Sequence, residues 1–279
     1  MKKAVIAVVI IALIVTSLVL IRRQIPLEFE PAEDHSEEII AFLGCDYEIV
    51  RNARSAAAVT RKYKALVKRG KTEGFTPLII VPDSILCESI YTFAEYYDAM
   101  YYDAEYSPEA VIKESESINA VEFLQSRSKY AASIGSDNYL LGITGERPVA
   151  GTYNNFTSFT NFLTNRPFST ILIAKIPTDK PWELAAWIPM GGFNECPSPA
   201  EQVAVFKYWH EQYGAVPVVV TWCTWELQIE NLIKDKFTVK TLAKEQFGFC
   251  RDIVWQGDGS IDNLANSLIW STVWFFWWD

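Results

Sequence analysis

Histidine and paired cysteine are scarce in this 279-residue chain. It has two histidines and five cysteines, and the cysteines form neither a Cys-x-x-Cys pair nor a cluster with histidine. A zinc site of the His-Glu-x-x-His type is therefore excluded, and the odd cysteine count leaves at least one thiol outside any disulfide. The sequence predicts neither a metal site nor a bound cofactor.

Other functional signatures are absent from the sequence as well. It contains no Walker motif, no EF-hand spacing, no recognisable base–nucleophile–acid order and no internal repeat. The formal net charge is −9, so the chain as a whole would repel the phosphates of a nucleic acid. Half of the residues are hydrophobic and 21% are charged, which is typical of a folded globular protein. We therefore expect a folded protein that does not bind nucleic acid.

A long uncharged run lies near the amino terminus. Residues 4–21 carry no charge and are bracketed by Lys2–Lys3 and Arg22–Arg23. As a helix the run would span about 27 Å, close to the hydrocarbon thickness of a bilayer. No small-residue cleavage site follows it, so residues 1–23 are predicted to be a retained membrane anchor, followed by a stalk over residues 24–35.

The side of the membrane is less clearly encoded. Basic residues at the two ends of the apolar run nearly balance, so the positive-inside rule decides little. We expect the globular part outside the cytoplasm, although unpaired cysteines are more common in reducing compartments.

The C-terminal third is densely aromatic. All ten tryptophans lie between Trp182 and Trp278, and residues 273–279 read VWFFWWD. Chain ends are usually polar and frayed, so this composition predicts a final strand whose rings are buried in a sheet. An aromatic groove for a peptide or sugar is the alternative interpretation.

Hydrophobic periodicity and turn residues predict the order of the elements. In the first half we predict strands at 47–50 and 78–81 joined by a helix at 55–69, as a β-α-β unit with a parallel pair, and then helices at 84–97 and 108–132. In the second half we predict paired strands at 170–176 and 183–188, further strands at 216–221, 225–229 and 272–277, and helices at 199–213, 238–247 and 261–269.

These elements indicate an α+β fold: a mixed β-sheet flanked by helices, preceded by one N-terminal transmembrane helix. Residues 142–166 are rich in Gly, Asn, Thr and Pro and have weak periodicity. They predict a boundary between an N-terminal α/β subdomain at 36–150 and a tryptophan-rich C-terminal domain at 165–279.

Several motifs of the second half occur in a fixed order. They read ILIAKIP at 171–177, PWE at 181–183, GGFNECP at 191–197 and FCRDIV at 249–254, ahead of the closing aromatic run. Together they resemble a bacterial family catalogued as Domain of Unknown Function 4253, over roughly the last 110 residues. The resemblance implies a domain identity and carries no activity, cofactor or substrate.

The GGFNECP loop is the main candidate site. Gly191 and Gly192 would let a partner approach the backbone closely, and with Asn194 they are binding candidates near the amides of a helix start. Glu195 and Cys196 are catalytic candidates, because a thiol beside a helix N-terminus can become nucleophilic. The alternative is a tight structural turn.

Candidates also lie outside this loop. His210 could act as a base, but it follows Cys196 on the same helix at a distance of about 20 Å, which nearly excludes a dyad. Asp252 is a further catalytic candidate, and Gln256 and Asp258 are binding candidates around a Gly-Asp-Gly turn. The alternative roles are a capped surface histidine and carboxylates that shape the turn.

Charge is segregated along the chain. Residues 51–71 contain eight bases and no acid, whereas residues 83–122 contain Lys113 as their one base. The basic helix could contact anionic lipid headgroups or an acidic partner, or could pair with the acidic block.

The sequence thus predicts a membrane-anchored protein that acts as a non-catalytic protein-interaction module. The alternative is a hydrolase or transferase whose site surrounds Asn194, Glu195 and Cys196. The substrate or partner, the oligomeric state and the roles of the five cysteines are not encoded in any recognisable pattern.

Overall fold

The structure, a computed structural model, describes residues 34–100, 106–134 and 152–279. Its strands are β1 (Tyr47–Arg51), β2 (Thr76–Ile80), β3 (Thr170–Ile176), β4 (Ala215–Val220), β5 (Thr224–Ile229) and β6 (Val273–Trp277). They form one six-stranded mixed sheet in the order β1-β3-β2-β4-β5-β6. The β2–β4 pair is parallel, and the other four pairs are antiparallel.

The helices surround this sheet. They are α1 (Ser36–Leu43), α2 (Ala56–Glu73), α3 (Ser84–Met100), α4 (Pro108–Ser115), α5 (Ala120–Ile134), α6 (Leu184–Trp187), α7 (Pro199–Tyr213), α8 (Lys236–Phe249) and α9 (Ile261–Leu268). A 3₁₀ turn, Pro181–Glu183, precedes α6, and a π-helical segment, Ile253–Asp258, precedes α9. The predicted α+β fold with a mixed sheet and flanking helices is confirmed.

The two faces of the sheet bury two different cores. Alternate residues of a strand point to opposite faces, and in β3 Leu172 joins the larger core while Ile171 joins the smaller one. The smaller core packs under α2 and the loop 152–169. The larger core packs under the other helices and contains most of the buried rings.

The aromatic tail is part of the larger core. In β6, Trp274 and Phe276 lie opposite Leu227 and Trp225 of β5. The ring of Trp209, on α7, stacks on Phe276 at a centroid distance of 5.3 Å. The prediction that the tail is a buried strand is confirmed, although β6 lies at the edge of the sheet, where its alternate rings are partly exposed.

Local sequence explains the helix that carries the candidate loop. In α7, the Ser198 side chain accepts from the Glu201 amide while the Glu201 carboxylate accepts from the Ser198 amide, a complete capping box. Pro199 occupies the first helical position, and Gly214 ends the helix in a left-handed conformation. The predicted helix at 199–213 is therefore confirmed.

Two predicted elements are wrong. Residues 183–188 form a turn and the short helix α6 instead of a strand, because Pro181 starts a 3₁₀ turn and a short apolar run does not distinguish strand from helix. The helix predicted at 108–132 is two helices, because the Asn119 side chain accepts from the backbone amides of Val121 and Glu122 and starts α5 anew.

The predicted β-α-β unit is also only half correct. Strands β1 and β2 run in the same direction, but β3 lies between them and is antiparallel to both. The sequence could not reveal this, because the intervening strand comes from a segment more than 90 residues further along the chain.

Two predictions concern residues at the margin of the structure. The anchor predicted at residues 1–23, and all of the stalk before Asp34, lie outside the described residues. Among the helices that the structure describes, none is long and apolar enough to cross a membrane. The two-domain division stays a prediction, and strands from both sides of its boundary share the one sheet.

The predicted basic helix is α2, and its ion pairs are with neighbours on its own side. Lys62 and Arg69 lie 3.0 and 3.4 Å from the Glu48 carboxylate on β1, and Arg69 also pairs with Glu73 at 2.8 Å. The acidic block lies mainly on α3 and α4, which pack on the opposite face of the sheet. Among the described residues, no ion pair joins α2 to this acidic block.

Candidate functional site

The Gly-Gly loop is a strained structural turn. Gly191 and Gly192 have φ of 137° and 77°, and Asn194 and Glu195 follow with φ of 41° and 66°. A β-carbon at Gly191 would overlap the carbonyl oxygen of Pro197, so this position requires glycine. Nothing lies within 4 Å of a β-carbon at Gly192, where the left-handed backbone alone favours glycine.

The inner side of this loop is held by a buried amide. Gln202, on α7, is fully buried, and its Nε2 donates to the Pro197 carbonyl at 2.8 Å. Its Oε1 accepts from the Trp225 indole of β5 at 2.7 Å. The loop is therefore fastened to the central sheet through satisfied hydrogen bonds.

Cys196 is buried beneath the loop. Its Sγ lies 3.9 Å from the Met190 sulfur and 3.7 Å from Gln202 Nε2. Burial, together with the neighbouring Cys250, raises the pKa of the Cys196 thiol well above its usual value. The thiol is consequently protonated at neutral pH, and the surroundings do not activate it as a nucleophile.

His210 lies at the other end of α7 from Cys196. Its Nδ1 is 3.0 Å from the Ala215 carbonyl, and its ring packs against Trp182 at 4.9 Å. The side chain is held by these neighbours, and the structure does not bring it to the loop.

Asn194 and Glu195 form the outer side of the loop. Asn194 donates through its side-chain amide to the carbonyl of Asp279, and Arg127 donates to the carbonyl of Glu195. The Glu195 carboxylate lies 3.9 Å from both Arg127 and Arg251. These contacts join the loop to α5 and to the end of the chain.

The remaining predicted residues lie around the π-helical segment. Asp252 is buried, and its carboxylate accepts from the Asp279 amide at 3.3 Å. Gln256 is exposed, and Asp258 lines a small cavity at the far end of the segment. Asn194 and Asp252 thus meet at Asp279, and Asp252 and Asp258 both line the small cavity.

A large groove in the described part of the chain was not predicted from the sequence. A groove of about 530 Å³ runs between α3, α4, the Gly-Gly loop and the start of α7. Rings and aliphatic side chains form most of its wall: Ile85, Phe93, Tyr96, Tyr97, Val111 and Phe193. Ile85 is 49% exposed and Tyr96 is 61% exposed, which is unusual for an apolar helix face.

The charged side chains that line this groove are both acidic. They are Glu88 on α3 and Glu114 on α4, and neither Lys nor Arg is among the lining residues. The signal in the sequence was the aromatic content of the acidic segment 83–122, which its charge alone does not reveal.

A buried carboxylate lies on the opposite face of the sheet. Glu226 in β5 is 1% exposed, and it accepts from the amides of Thr157 at 2.8 Å and Ser158 at 3.3 Å. Burial raises the pKa of Glu226 to about 7 even though these hydrogen bonds lower it. The carboxylate fastens the loop 152–169 to the sheet.

Whether the described residues could bind a metal ion depends on the positions of their His, Cys, Asp and Glu side chains. Among the described residues, no group of three or more His, Cys, Asp or Glu side chains is arranged to hold an ion. All five cysteines are free thiols, and four of them are buried.

Comparison with known families gives a match in the C-terminal part of the chain. Residues 172–279 match the model of a domain of unknown function (DUF4253). This is the family that the ordered motifs resemble. No curated protein and no solved structure matches the chain.

The boundary of the DUF4253 region divides the groove. The Gly-Gly loop and α7 lie inside the region, whereas α3 and α4 precede it. The groove is therefore formed jointly by the DUF4253 region and by helices that precede it in the chain.

Proposed function

We propose that the protein is a non-catalytic interaction module that binds an apolar, basic segment of another protein in the groove between α3, α4 and the Gly-Gly loop. The groove carries the proposal, because its described lining residues combine exposed rings with two carboxylates and include no base. Interfaces of this kind gain affinity from a few aromatic anchors and specificity from complementary charge.

The apolar wall sets the first requirement on the partner. Ile85 and Tyr96 keep about half or more of their surface in contact with water. Burying such side chains contributes roughly 25 cal/mol per Å² of apolar area, which favours an apolar occupant. A groove along a helix suits an extended or helical peptide that presents aliphatic anchors.

The acidic rim sets the second requirement. Glu88 is exposed and Glu114 is half-exposed, and the segment 83–122 to which they belong carries one base. An acidic partner would be repelled, whereas Lys or Arg side chains flanking the apolar anchors would be attracted.

The catalytic alternative receives less support. Cys196 is buried with a raised pKa, His210 is held at the far end of α7, and Asp252 accepts from a backbone amide. A nucleophile and its base should lie within hydrogen-bonding reach of each other, and these side chains have other partners.

We also propose that residues 4–21 anchor the module in a membrane, with the globular part outside the cytoplasm. The length and the flanking bases of the apolar run support the anchor. To test the side, Lys68→Cys would place an exposed thiol on α2, and a membrane-impermeant maleimide should label it in intact cells. Labelling only after lysis would contradict the external location.

The groove can be tested with two fluorescent peptides of equal length, one of leucine and lysine and one of leucine and glutamate. The full-length protein would be held in nanodiscs of zwitterionic lipid, and empty nanodiscs would be the blank. Fluorescence anisotropy should show tighter binding of the leucine–lysine peptide, and Tyr96→Ala should weaken it about tenfold.

A charge reversal provides the decisive control. Glu88→Lys combined with Glu114→Lys should reverse the preference between the two peptides. Glu37→Lys combined with Glu122→Lys changes the net charge equally on exposed positions outside the groove and should leave the preference intact. Equal effects of the two double variants would show that binding follows overall charge and would contradict the proposal.

A further inference from the structure

A second, smaller cavity lies mostly inside the DUF4253 region, and Tyr153 of the preceding loop completes its wall. It measures about 90 Å³ and is enclosed by α8, the π-helical segment, α9 and β6. A water molecule in the liquid occupies about 30 Å³, so the space is equivalent to about three waters. The exposed Gly257 and the half-exposed Asp258 mark its opening to solvent.

Two carboxylates reach this cavity without a basic partner. Asp252 accepts from the Asp279 amide at 3.3 Å, and Asp258 accepts from the Ser267 hydroxyl at 3.2 Å. No Lys or Arg of the described ranges forms an ion pair with either one. Burial raises the pKa of Asp258, and no positive charge offsets the effect.

A buried side-chain amide without a hydrogen-bond partner also lines this cavity. Gln246, on α8, is 1% exposed and lines the cavity, and its Nε2 has no hydrogen-bond partner among the described residues. Buried polar groups nearly always have a partner, so an orphan amide marks a place where something else binds. The oxygen and nitrogen of a glutamine amide can exchange by a flip, and the exchanged oxygen would accept a hydrogen bond from a ligand.

The other walls of the cavity argue for an organic ligand and against a metal ion. Phe275 and Trp277 contribute rings, and Ile253, Leu264 and Leu268 contribute aliphatic groups. Calcium and magnesium bind through oxygen ligands and their own waters, whereas most of this wall is apolar. Aromatic faces beside carboxylates instead attract an ammonium or guanidinium group through cation–π and ionic interactions.

We propose that this cavity binds a small organic cation, a protonated primary amine or a guanidinium group, between Asp252, Asp258 and the amide of Gln246. The positive charge is neutralised by the two carboxylates, its N–H groups donate to them and to the Gln246 oxygen, and its carbon atoms contact the rings. The π-helical segment places Asp252 and Asp258 at its two ends, and such segments are frequent at functional sites.

The cation can be a free amine or the end of a Lys or Arg side chain, and the test includes both. The full-length protein, labelled with ¹⁵N at glutamine side chains, would be titrated with methylammonium chloride, with a short lysine-containing peptide, and with sodium chloride as the control for ionic strength. We expect a saturable shift of the Gln246 side-chain NH₂ signals with methylammonium. A much tighter response to the peptide would identify a side chain as the natural source.

Two variants connect the response to the cavity. Asp258→Asn preserves shape and removes a charge, and should weaken methylammonium binding about tenfold. Asp179→Asn is the matched control at an exposed position outside the cavity. Gln246→Leu should weaken binding while leaving the melting temperature of the ligand-free protein unchanged or higher, because an unpartnered buried amide is removed.

Three outcomes would overturn the proposal. One is the absence of a saturable shift at any amine concentration that leaves the protein folded. Another is a response to magnesium or calcium in place of the amine. The third is a lower melting temperature for Gln246→Leu without any change in amine affinity, since this would show that the amide is a structural group.

Discussion

The DUF4253 region and the part of the chain that precedes it contribute different things to one sheet. Residues 172–279 supply most of the aromatic core and of the small cavity, whereas the earlier part supplies β1, β2 and the acidic helices of the groove. The order of the strands makes the two parts interdependent, because β2 lies between β3 and β4. The matched family region is thus not a self-contained sheet in this protein.

The largest test of this interdependence is to remove the earlier part. A fragment of residues 172–279 would retain β3 to β6 but lose the strand that joins β3 to β4, and exposed edges of this kind aggregate. We expect no cooperative thermal transition by circular dichroism and poor dispersion of amide proton signals. Residues 34–279 are the control and should melt cooperatively. A folded fragment would show that the DUF4253 region folds without the preceding part of the chain, and would contradict the interdependence of the two parts.

The aromatic core can be tested by truncating one ring. Trp274 is 1% exposed and packs on Trp209 and Tyr213, so Trp274→Ala should lower the free energy of unfolding by about 3–5 kcal/mol. Trp270 is 51% exposed, and Trp270→Ala should cost less than about 1 kcal/mol. Urea denaturation measures both. Similar costs at the two positions would contradict the assignment of the core.

The contact between Glu226 and the loop 152–169 predicts a dependence of stability on pH. The folded pKa of about 7 lies above the ordinary value of 4.5, so the folded state retains a proton that the unfolded state has lost. The free energy of unfolding attributable to this group is therefore greatest below pH 4.5 and falls by about 3 kcal/mol as the pH rises to 7.

Glu226→Gln should flatten that dependence, because its side chain does not titrate. Glu230→Gln changes an exposed residue just past the same strand and should leave the pH profile as it is. The measurement is urea denaturation at a series of pH values between 4.5 and 8. A profile that is unchanged by Glu226→Gln would show that other groups control it.

The smallest expected effect separates two adjacent glycines of the loop. Gly191→Ala would force the new methyl group against the Pro197 carbonyl in a left-handed backbone, and should cost more than about 2 kcal/mol. Gly192→Ala meets no neighbour and should cost only about 1–2 kcal/mol for its backbone conformation. Urea denaturation measures both changes in the free energy of unfolding. If the two changes are equal, the close approach of Gly191 to the Pro197 carbonyl does not constrain the loop.

Local signals in the sequence explain which elements were predicted well. Caps and terminal residues define α7 and α2, where Ser198, Gly214 and Ser55 act within a turn of the chain. Residues 183–188 were predicted wrongly because a short apolar run is compatible with both a strand and a helix once it is buried. The pairing of β3 between β1 and β2 depends on contacts between distant segments, which no local pattern records.

The candidate sites also differ in whether local sequence signals reveal them. The Gly-Gly loop was visible in the sequence because glycine and asparagine tolerate positive φ, although the structure shows that Gly191 is needed for packing. The groove and the cavity at Gln246 were not visible. Each is assembled from helices far apart in the chain, and burial is what makes a single glutamine unusual.

The sequence by itself determined that this protein has an aromatic C-terminal core of mixed α and β elements, because periodicity, caps and ring content act locally. Only the tertiary structure decided that β2 completes the sheet of the DUF4253 region and that Cys196 is a buried thiol with a raised pKa. It also decided that two carboxylates and an unpartnered amide line one cavity. The physical reason is that burial and charge pairing depend on which distant segments of the chain meet. Burial and charge pairing then set the pKa values of the side chains, and the packing of the segments leaves the cavities in which a ligand can bind.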